Sequence, residues 1–535
     1  MQRRTLIKAG AGLAATPLLS ACGGGGGGNG GGVPRVGEPY LPTPASLQAE
    51  VEKMVSFGPR LTGSDAHNRF IDYLEREFRK LGLSTQRDPY YLTLWEARRQ
   101  GLRVKTGSGS EDIPVDAYYP RSGPTGEDGV TGRLVYFGAP LQHLTLDLTD
   151  LESQAAMLTT LLQQLPSALT GLLSTLTGGG VKDAIVLVEL PLLPTVAGIF
   201  YPFLTWLNDD DRTISPLTDY KRAWLTSLAV MEPVVTLMKT LGAKGVIFSF
   251  DSSAENTAGQ YLPFLAGPSE IPALIVNRDT GSRLRALAGK AEATLTLTAS
   301  VRENVRTDTL VAILPGASDE NLIINTHTDG QNAFEENGAV ACLEIARHYV
   351  AIPQAERPRT LVFSLVTGHM APHMPQANGF IDAHPDLVAK SAAAVTIEHL
   401  GAREWLDDSS GYHDSGRPEI AALFHSTTPI ALPAIQSLRE TGLQRVMLCR
   451  PIGVIFFGVG APFHLAGVPC LAYITGPHYL LAIEPDDGMK RFDAQRMADE
   501  MDLTLDLLHR IETIPALQLK LGDSAVLGAL PLPSI

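Results

Sequence analysis

The chain has few cysteines, no excess of basic residues and no serine-hydrolase elbow, and each absence excludes a class of function. Its four cysteines, at positions 22, 342, 449 and 470, include no closely spaced pair, so they form neither a disulfide framework nor a cysteine zinc site. The net charge of −14 argues against a nucleic-acid surface, which needs a basic face. No Gly-x-Ser-x-Gly sequence follows a predicted strand, so we set aside a serine nucleophile of the α/β-hydrolase kind.

What the sequence does contain is enough apolar material for more than one hydrophobic core. Of its 535 residues, 44% are hydrophobic and 19% are charged, a balance typical of globular proteins and not of disordered ones. A chain of this length is too long for a single compact core. We therefore expect two or more domains.

The first 22 residues are predicted to be a targeting signal and not part of the fold. Arg3 and Arg4 precede an apolar stretch, 9–19, that is too short to span a membrane as a helix. The arrangement resembles the twin-arginine export motif, with Gln2 where Ser or Thr is usual. The resemblance implies an exported bacterial protein, located in the periplasm or the cell envelope.

The signal ends in the sequence LSAC, at 19–22, which resembles a bacterial lipobox. The resemblance implies cleavage before Cys22 and attachment of a lipid to its sulfur, so that the protein is anchored to a membrane. The alternative is an ordinary cleaved signal with an incidental cysteine. Residues 23–45 begin with a nearly continuous glycine run and are predicted to be a tether.

The strongest chemical signal lies in 321–347, NLIINTHTDGQNAFEENGAVACLEIAR. The apolar run 322–324 predicts a buried parallel strand, and 339–349 has the periodicity of a helix. Between them stand one imidazole and three carboxylates, at His327, Asp329, Glu335 and Glu336. Ligands gather at the carboxyl ends of strands in an open α/β sheet, and zinc takes both histidine nitrogen and carboxylate oxygen. The segment therefore predicts a metal site; a strand-to-helix loop whose polar residues face water is the alternative.

Strands alternate with helical patterns from 310 to 511, which predicts a doubly wound α/β sheet. The region 91–302 differs, because it is predicted to be rich in short strands, at 132–137, 184–190, 245–248, 271–276 and 291–301. Two long apolar stretches interrupt it, 141–176 and 191–238, and both are predicted to be helices with wide apolar faces. Packing within an enlarged domain is the favoured interpretation of these stretches, and a lid or a partner surface is the alternative.

The order of these segments resembles the zinc-dependent aminopeptidase family, the co-catalytic zinc exopeptidases that include bacterial leucyl aminopeptidase and glutamate carboxypeptidase. The sequence FGPRLTGSDAHNRFIDYLEREFRKLGL, at 57–83, resembles the first segment of that family, and 91–302 resembles an inserted protease-associated domain. The resemblance implies a doubly wound mixed sheet of the zinc exopeptidase type with a β-rich insertion. The implied domains are a signal (1–22), a tether (23–45), the first part of a peptidase-like domain (46–90), the insertion (91–302), the main peptidase-like part (303–515) and a C-terminal tail (516–535).

The resemblance also implies a ligand set for one or two zinc ions. His327 and Asp329 match the family's His-x-Asp sequence, Glu336 falls on the carboxylate that bridges the two ions, and Glu398 falls on a later carboxylate ligand. The family's final histidine is replaced by Ala482 and Ile483, and His478 is the nearest histidine that could complete the second metal site.

One departure from the family affects the predicted chemistry. Where the family has Gly-Glu-Glu, whose first Glu is the general base, this chain has Gly368, His369 and Met370. His369 could accept a proton as the catalytic base or serve as a ligand, whereas a thioether is a poor zinc ligand beside oxygen donors. The neighbouring His399, like His373 and His464, is interpreted as a loop or core residue.

Two hypotheses follow. The first is an exported metal-dependent hydrolase that cleaves peptide or other amide bonds with a metal-activated water molecule. The second is a catalytically inactive, peptidase-like lipoprotein that binds a peptide or protein partner. We favour the first because grouped carboxylates repel one another unless a cation or protons compensate them.

Overall fold

The structure is a computed structural model that describes residues 34–107, 109–140, 160, 163–164, 167–168, 171, 180–264, 266–451 and 456–521. The predicted signal, Cys22, the glycine run, most of the stretch 141–176 and most of the C-terminal tail lie outside the described residues. No helix in the described ranges is long and apolar enough to cross a membrane.

The helices begin where the sequence supplies a cap. The Ser64 side chain accepts a hydrogen bond from the His67 amide, and the helix that follows buries Phe70, Leu74 and Phe78 at helical spacing. The α-helices of the described part are α1 (Pro44–Val55), α2 (Asp65–Lys80), α3 (Ala223–Thr240), α4 (Ala254–Thr257), α5 (Arg278–Leu287), α6 (Gly338–Val350), α7 (Gln376–Ala383), α8 (Pro385–Ala389), α9 (Thr428–Thr441), α10 (Ala461–Leu465), α11 (Ala494–Ile511) and α12 (Ala516–Lys520).

The strands confirm the predicted mixed α/β architecture. They are β1 (Ser84–Thr106), β2 (Gly109–Ile113), β3 (Ala117–Tyr118), β4 (Val130–Gly138), β5 (Ala184–Leu190), β6 (Leu204–Asn208), β7 (Gly245–Phe250), β8 (Ala273–Val276), β9 (Glu292–Leu314), β10 (Asn321–His327), β11 (Thr360–Val366), β12 (Ser391–Ile397), β13 (Arg403–Asp408), β14 (Gly411–Pro418), β15 (Ala421–His425), β16 (Val446–Cys449) and β17 (Cys470–Thr475). The strands predicted within 91–302 and the strand and helix predicted within 321–347 are all present.

Fifteen of the described strands form one mixed sheet in the order β3-β8-β7-β5-β4-β9-β11-β10-β12-β17-β15-β16-β6, with β1 paired to both β9 and β2. Strands β10, β11, β12 and β17 are parallel neighbours and are buried along nearly their whole length. Their carboxyl ends therefore meet at one edge of the sheet, where the polar residues of the sequence signal lie.

Strand β9 joins the two parts of this sheet. Its first residues pair with β4, its last residues pair with β11, and β1 runs antiparallel beside it from Lys105↔Glu292 to Ser84↔Ile313. The predicted domain boundaries at 90/91 and 302/303 fall inside these two continuous strands. The assignment of 91–302 as a protease-associated domain stays a prediction.

The stretch 191–238 is only partly helical, so the prediction that it is a helix with a wide apolar face was wrong for its first part. Pro191, Pro194 and Pro202 interrupt any α-helix there, and the chain instead forms a 3₁₀ turn at Ala197–Phe203 and then β6. Strand β6 pairs antiparallel with β16 at the far edge of the sheet. Helix α3 follows and buries apolar residues in the main core, as the packing interpretation predicts.

The segment before α1, assigned to the tether in the sequence, contacts helix α6. The Gly37 amide donates to the Ala351 carbonyl at 2.7 Å, and the Tyr40 carbonyl accepts from Nδ1 of His348 at 2.6 Å. Nε2 of His348 lies 2.8 Å from Nε2 of His509, so one of these two nitrogens carries the hydrogen that joins them, and Nδ1 of His509 lies 2.8 Å from Oε1 of Glu512.

We expect the free energy of unfolding to fall as the pH drops below about 6.5, because His348 resists protonation. Burial lowers the pKa of His348 to about 4, whereas an unfolded imidazole titrates near 6.5. Between those values the unfolded state binds more protons, so stability is lost as the pH falls toward the folded pKa. The expected loss is about 2 kcal/mol between pH 6.5 and 5.

Denaturant unfolding of the wild type and of His348→Gln at both pH values measures this loss. The difference between the two proteins removes the contribution of the other titrating groups. Equal pH dependence in the two proteins would contradict the prediction.

Candidate metal centre

Two loops at the carboxyl edge of the sheet are held together by the side chain of Asn332. Its Nδ2 donates to the carbonyls of Tyr479, Leu480 and Ala482 at 3.1, 2.7 and 3.0 Å, and its Oδ1 accepts from the Glu335 amide at 3.3 Å. Asn337 acts in the same way toward the loop after β12, exchanging hydrogen bonds with both backbone groups of Leu400. Because these amides are buried, the loop positions are fixed by the protein itself.

The loops bring five potential metal-binding side chains together. His327, Glu335 and His399 form one group, and His327, His369 and Glu398 form another, with the donor atoms of each group within 4.8 Å of one another. Oε1 and Oε2 of Glu335 lie 3.5 Å from Nε2 of His369 and 3.4 Å from Nε2 of His399. All five are buried except His369, whose side chain is 14% exposed. We call these five residues the cluster.

Two of the imidazoles are oriented by backbone carbonyls. Nδ1 of His327 lies 2.8 Å from the Asp329 carbonyl, and Nδ1 of His399 lies 2.7 Å from the Thr475 carbonyl. A carbonyl only accepts, so each Nδ1 carries the hydrogen and each Nε2 presents a lone pair. This is the orientation that metal-binding histidines adopt.

The atoms that face the interior of the cluster have no hydrogen-bond partner. They are Nε2 of His327 and of His399, both carboxylate oxygens of Glu335, and Oε2 of Glu398. Buried polar atoms without a partner are rare and costly. Imidazole nitrogens and carboxylate oxygens in this arrangement are a donor set that zinc and similar divalent cations accept, so the residues present fit a metal ion.

The pKa shifts follow from burial and from the crowding of charges. Burial raises the pKa of Glu398 and lowers the pKa of His327 well below its ordinary value, and the nearby His369 and His399 add to the second effect. Burial also opposes protonation of His369, but Glu335, Glu398 and Asp329 outweigh it and raise the pKa of His369 to about 9. The carboxylates of the cluster thus attract positive charge.

Asp329 lies behind His327 and not in the cluster. Its Oδ2 accepts hydrogen bonds from the Thr62 hydroxyl and, at 2.8 Å, from the Met370 amide, and its Oδ1 is 4.0 Å from Nδ1 of His327. The structure places Asp329 where it positions His327. Its predicted role as a ligand stays a prediction.

Glu336, predicted to bridge two ions, pairs with a buried arginine instead. Nε of Arg60 donates to Oε1 of Glu336, and both side chains are fully buried. Burial raises the pKa of Glu336 to about 7 against the opposing charge of Arg60. Oε2 of Glu336 has no hydrogen-bond partner, but Glu336 is in neither group of donors, whereas its neighbour Glu335 belongs to one.

His478, predicted to complete a second site, is also held elsewhere. Its Nε2 lies 3.1 Å from Nη1 of Arg222, and its Nδ1 lies 3.4 Å from Nδ2 of Asn256. Burial and then the charge of Arg222 lower the pKa of His478 well below the ordinary value. His478 is therefore a neutral imidazole that accepts at Nε2 from Arg222, and it is in neither group of the cluster.

A segment from the 91–302 region covers the cluster. The Phe264 ring meets the His369 ring edge-on at 5.1 Å, and the backbone of Tyr261 donates to the Leu481 carbonyl at 2.8 Å. Arg121 ties this segment to the loop after β11, because it donates to the carbonyls of Pro263 and of Met370 at 2.7 and 3.3 Å. His369 is thus the member of the cluster nearest to solvent.

The sequence interpretation did not assign Glu335 or His399 as metal ligands, and it did not link Arg60 to the cluster. Glu335 was visible as one of two adjacent glutamates, but only the fold decides which of the two faces the strand ends. His399 follows Glu398 directly and adopts a left-handed backbone, with φ of 60°. That turn, which a sequence does not reveal, lets consecutive side chains enter the same cluster. Nothing in the sequence linked Arg60 to Glu336, 276 positions away.

No family model matches this chain, and no curated protein matches it. Solved structures do match. A zinc aminopeptidase from Bacillus subtilis has a TM-score of 0.54 at 16% identity, covering 89% of this chain and 98% of that chain. A peptidase M28 precursor from Shewanella amazonensis has a TM-score of 0.60 at 15% identity, covering 88% and 93%. An aminopeptidase from Aneurinibacillus sp. strain AM-1 has a TM-score of 0.53 at 15% identity, covering 87% and 93%. The chain therefore has the mixed α/β fold of these peptidases.

We expect Gly458→Ala to weaken metal binding by displacing Glu398. A Cβ at Gly458 would lie 2.2 Å from Oε1 of Glu398, the oxygen that accepts from the Val459 amide at 2.8 Å. Loss of a contact that orients a ligand typically costs 10- to 100-fold in affinity, and about tenfold or more is expected here. A zinc competition titration against a chromophoric chelator measures the effect.

Gly467→Ala is the matched control. Gly467 has a similar positive φ, 76° against 81°, but open space around its Cβ, so the two variants share the backbone strain and differ only in the contact with Glu398. Equal zinc affinities in the two variants would contradict the prediction.

Proposed function

We propose that this protein is an exported metal-dependent hydrolase that cleaves peptide or other amide bonds. The observation that carries the proposal is the group of buried donor atoms without hydrogen-bond partners at the carboxyl edge of the sheet. The fold supports it, since two of the proteins named above are described as aminopeptidases, one of them as a zinc aminopeptidase, and the third as a peptidase precursor.

The ion would be held by His327 together with Glu335, Glu398, His399 and His369. A divalent cation there supplies a Lewis acid for the carbonyl of the substrate and lowers the pKa of a water molecule. The number of ions, one or two, and their identity as zinc belong to the proposal.

The remaining roles fall to groups of the chain. Asp329 positions His327 through its carbonyl and its side chain. His369 is the exposed member of the cluster and faces the cover formed by Phe264, so it meets a substrate first. If His369 does not bind the ion, its Nε2 can exchange a proton with Glu335, 3.5 Å away, and hand it to a leaving amine. The cover excludes bulk water from the reacting groups.

A catalytically inactive binding protein is the second candidate. It is favoured by the burial of nearly the whole cluster and by Met370, whose buried thioether replaces a carboxylate ligand of the family that the sequence resembles. In that case the protein would bind a peptide or a protein partner without cleaving it.

We expect the purified chain to contain one or two equivalents of zinc, and His327→Ala to lose them, because His327 belongs to both donor groups. Elemental mass spectrometry measures the content. His413→Ala is the control, since His413 lies on β14 with contacts only to Ser410 and Gly411 and should leave the zinc content unchanged.

A screen of aminoacyl and acyl amides then separates the two candidates. Zinc with amide hydrolysis, both lost in His327→Ala, supports the hydrolase. Zinc without hydrolysis supports the binding protein. A folded protein without metal would overturn the metal centre altogether.

The export and lipid anchor are also proposals, supported by the signal at 1–22 and its Cys22. We expect Cys22→Ser to move the protein from the membrane fraction to the soluble fraction of a bacterial host, because the lipid is attached to that sulfur. Immunoblotting of the two fractions measures this. A variant that stays in the membrane fraction would contradict the anchor.

A further inference from the structure

The imidazole of His327 limits the number of metal ions that the cluster can bind. Both groups of three donors contain His327, and no group of three that lacks it occurs in the described residues. Nδ1 of His327 faces the Asp329 carbonyl, so the ring offers a single lone pair, at Nε2. One lone pair binds one ion. The two groups therefore cannot both be complete three-residue sites at the same time.

The position of Arg60 is a second, independent observation that bears on the number of ions. Its guanidinium is fully buried and donates from Nε to Glu336, from Nη1 to the Gly58 carbonyl at 2.5 Å and from Nη2 to the Asn332 carbonyl at 2.6 Å. It thus sits against the same loop that carries Glu335 into the cluster. An arginine is always charged, so a fixed positive charge stands beside the centre and occupies the adjacent carboxylate.

Both effects of Arg60 oppose a second cation. Like charges repel strongly where water is excluded, and the ion pair with Arg60 occupies Oε1 of Glu336 and leaves only Oε2 without a hydrogen-bond partner. In the described part of the chain Glu336 is the sole carboxylate within ion-pair distance of Arg60.

The positions that the family resemblance assigns to a second ion offer no replacement. Met370 presents a thioether, and its amide is already bonded to Asp329. Ala482 has no donor in its side chain, and its carbonyl is bonded to Asn332. The ring nitrogens of His478 lie within hydrogen-bond distance of the side chains of Arg222 and Asn256.

We propose that the centre is mononuclear, with Arg60 standing as a fixed positive charge in place of a second metal ion. The proposal rests on the proposed function, since it concerns the same site. It goes further by fixing the stoichiometry and by giving Arg60 the role of excluding a second ion.

The test counts the metal ions bound per chain and does not depend on catalytic activity. The purified chain is stripped with a chelator and titrated with Co²⁺ followed by absorption, and its zinc content is measured after dialysis against excess zinc. We expect the absorption titration to show one break, at one equivalent of Co²⁺, and the zinc-to-protein ratio to be one. A ratio of two would overturn this inference and leave the proposed function standing. A folded protein with no bound metal would overturn both.

Arg60→Met tests the role of the arginine. Freed from its partner, Glu336 becomes available beside Glu335, so the ratio should rise from one toward two in excess zinc. Arg60→Lys keeps the charge and should stay at one. A folded Arg60→Met protein that still binds a single ion would show that Arg60 does not exclude the second.

Arg347→Met is the matched control for a freed buried carboxylate. Arg347 pairs with the buried Glu344 on α6 and with Glu50 on α1, so the loss of that arginine should leave the ratio at one. If Arg60→Met fails to fold, the ratio measured on the wild type still decides between one ion and two.

Discussion

The charge of three buried carboxylates is the constraint on which the rest of the site depends. Asp329, Glu335 and Glu398 are at most 1% exposed and lie within reach of the same imidazoles. Taking carboxylates out of water is costly unless protons or a cation compensate them. The surrounding loops must therefore be held by contacts that do not depend on the carboxylates, and the side-chain amides of Asn332 and Asn337 provide them.

The three carboxylates of the site differ from five other buried glutamates, which have arginine partners. Five buried glutamates of the described residues each have a buried arginine, in the pairs Arg60–Glu336, Arg222–Glu419, Arg347–Glu344, Arg445–Glu404 and Arg496–Glu500. Within the described ranges, no lysine or arginine lies within ion-pair distance of Asp329, Glu335 or Glu398, whose charged neighbours at that distance are histidines. These three acids thus lack the arginine partner that the five glutamates have, which favours the proposed cation.

The sequence predicts the elements better than it predicts the site. Strands such as Ala184–Leu190 and Asn321–His327 are visible as apolar runs, because burial on both faces of a parallel sheet demands them. It also places His327 and Glu398 correctly at strand ends. It does not distinguish Glu335 from Glu336, because neighbouring side chains in a loop have no fixed period and only a distant partner, Arg60, separates them. The sequence also does not predict strand β6, because β6 is defined by its pairing with β16, which is distant in the sequence.

That pairing and the β1–β9 pairing also set the order in which the chain can fold during synthesis. Strand β1 is made long before its partner β9, and β6 remains an unpaired edge until β16 has left the ribosome. At about 5–20 residues per second, β6 waits for roughly ten seconds or longer. Pairing of such distant segments is slow and leaves strand edges open to aggregation. The β6 edge therefore stays without its strand partner in any fragment that ends before β16.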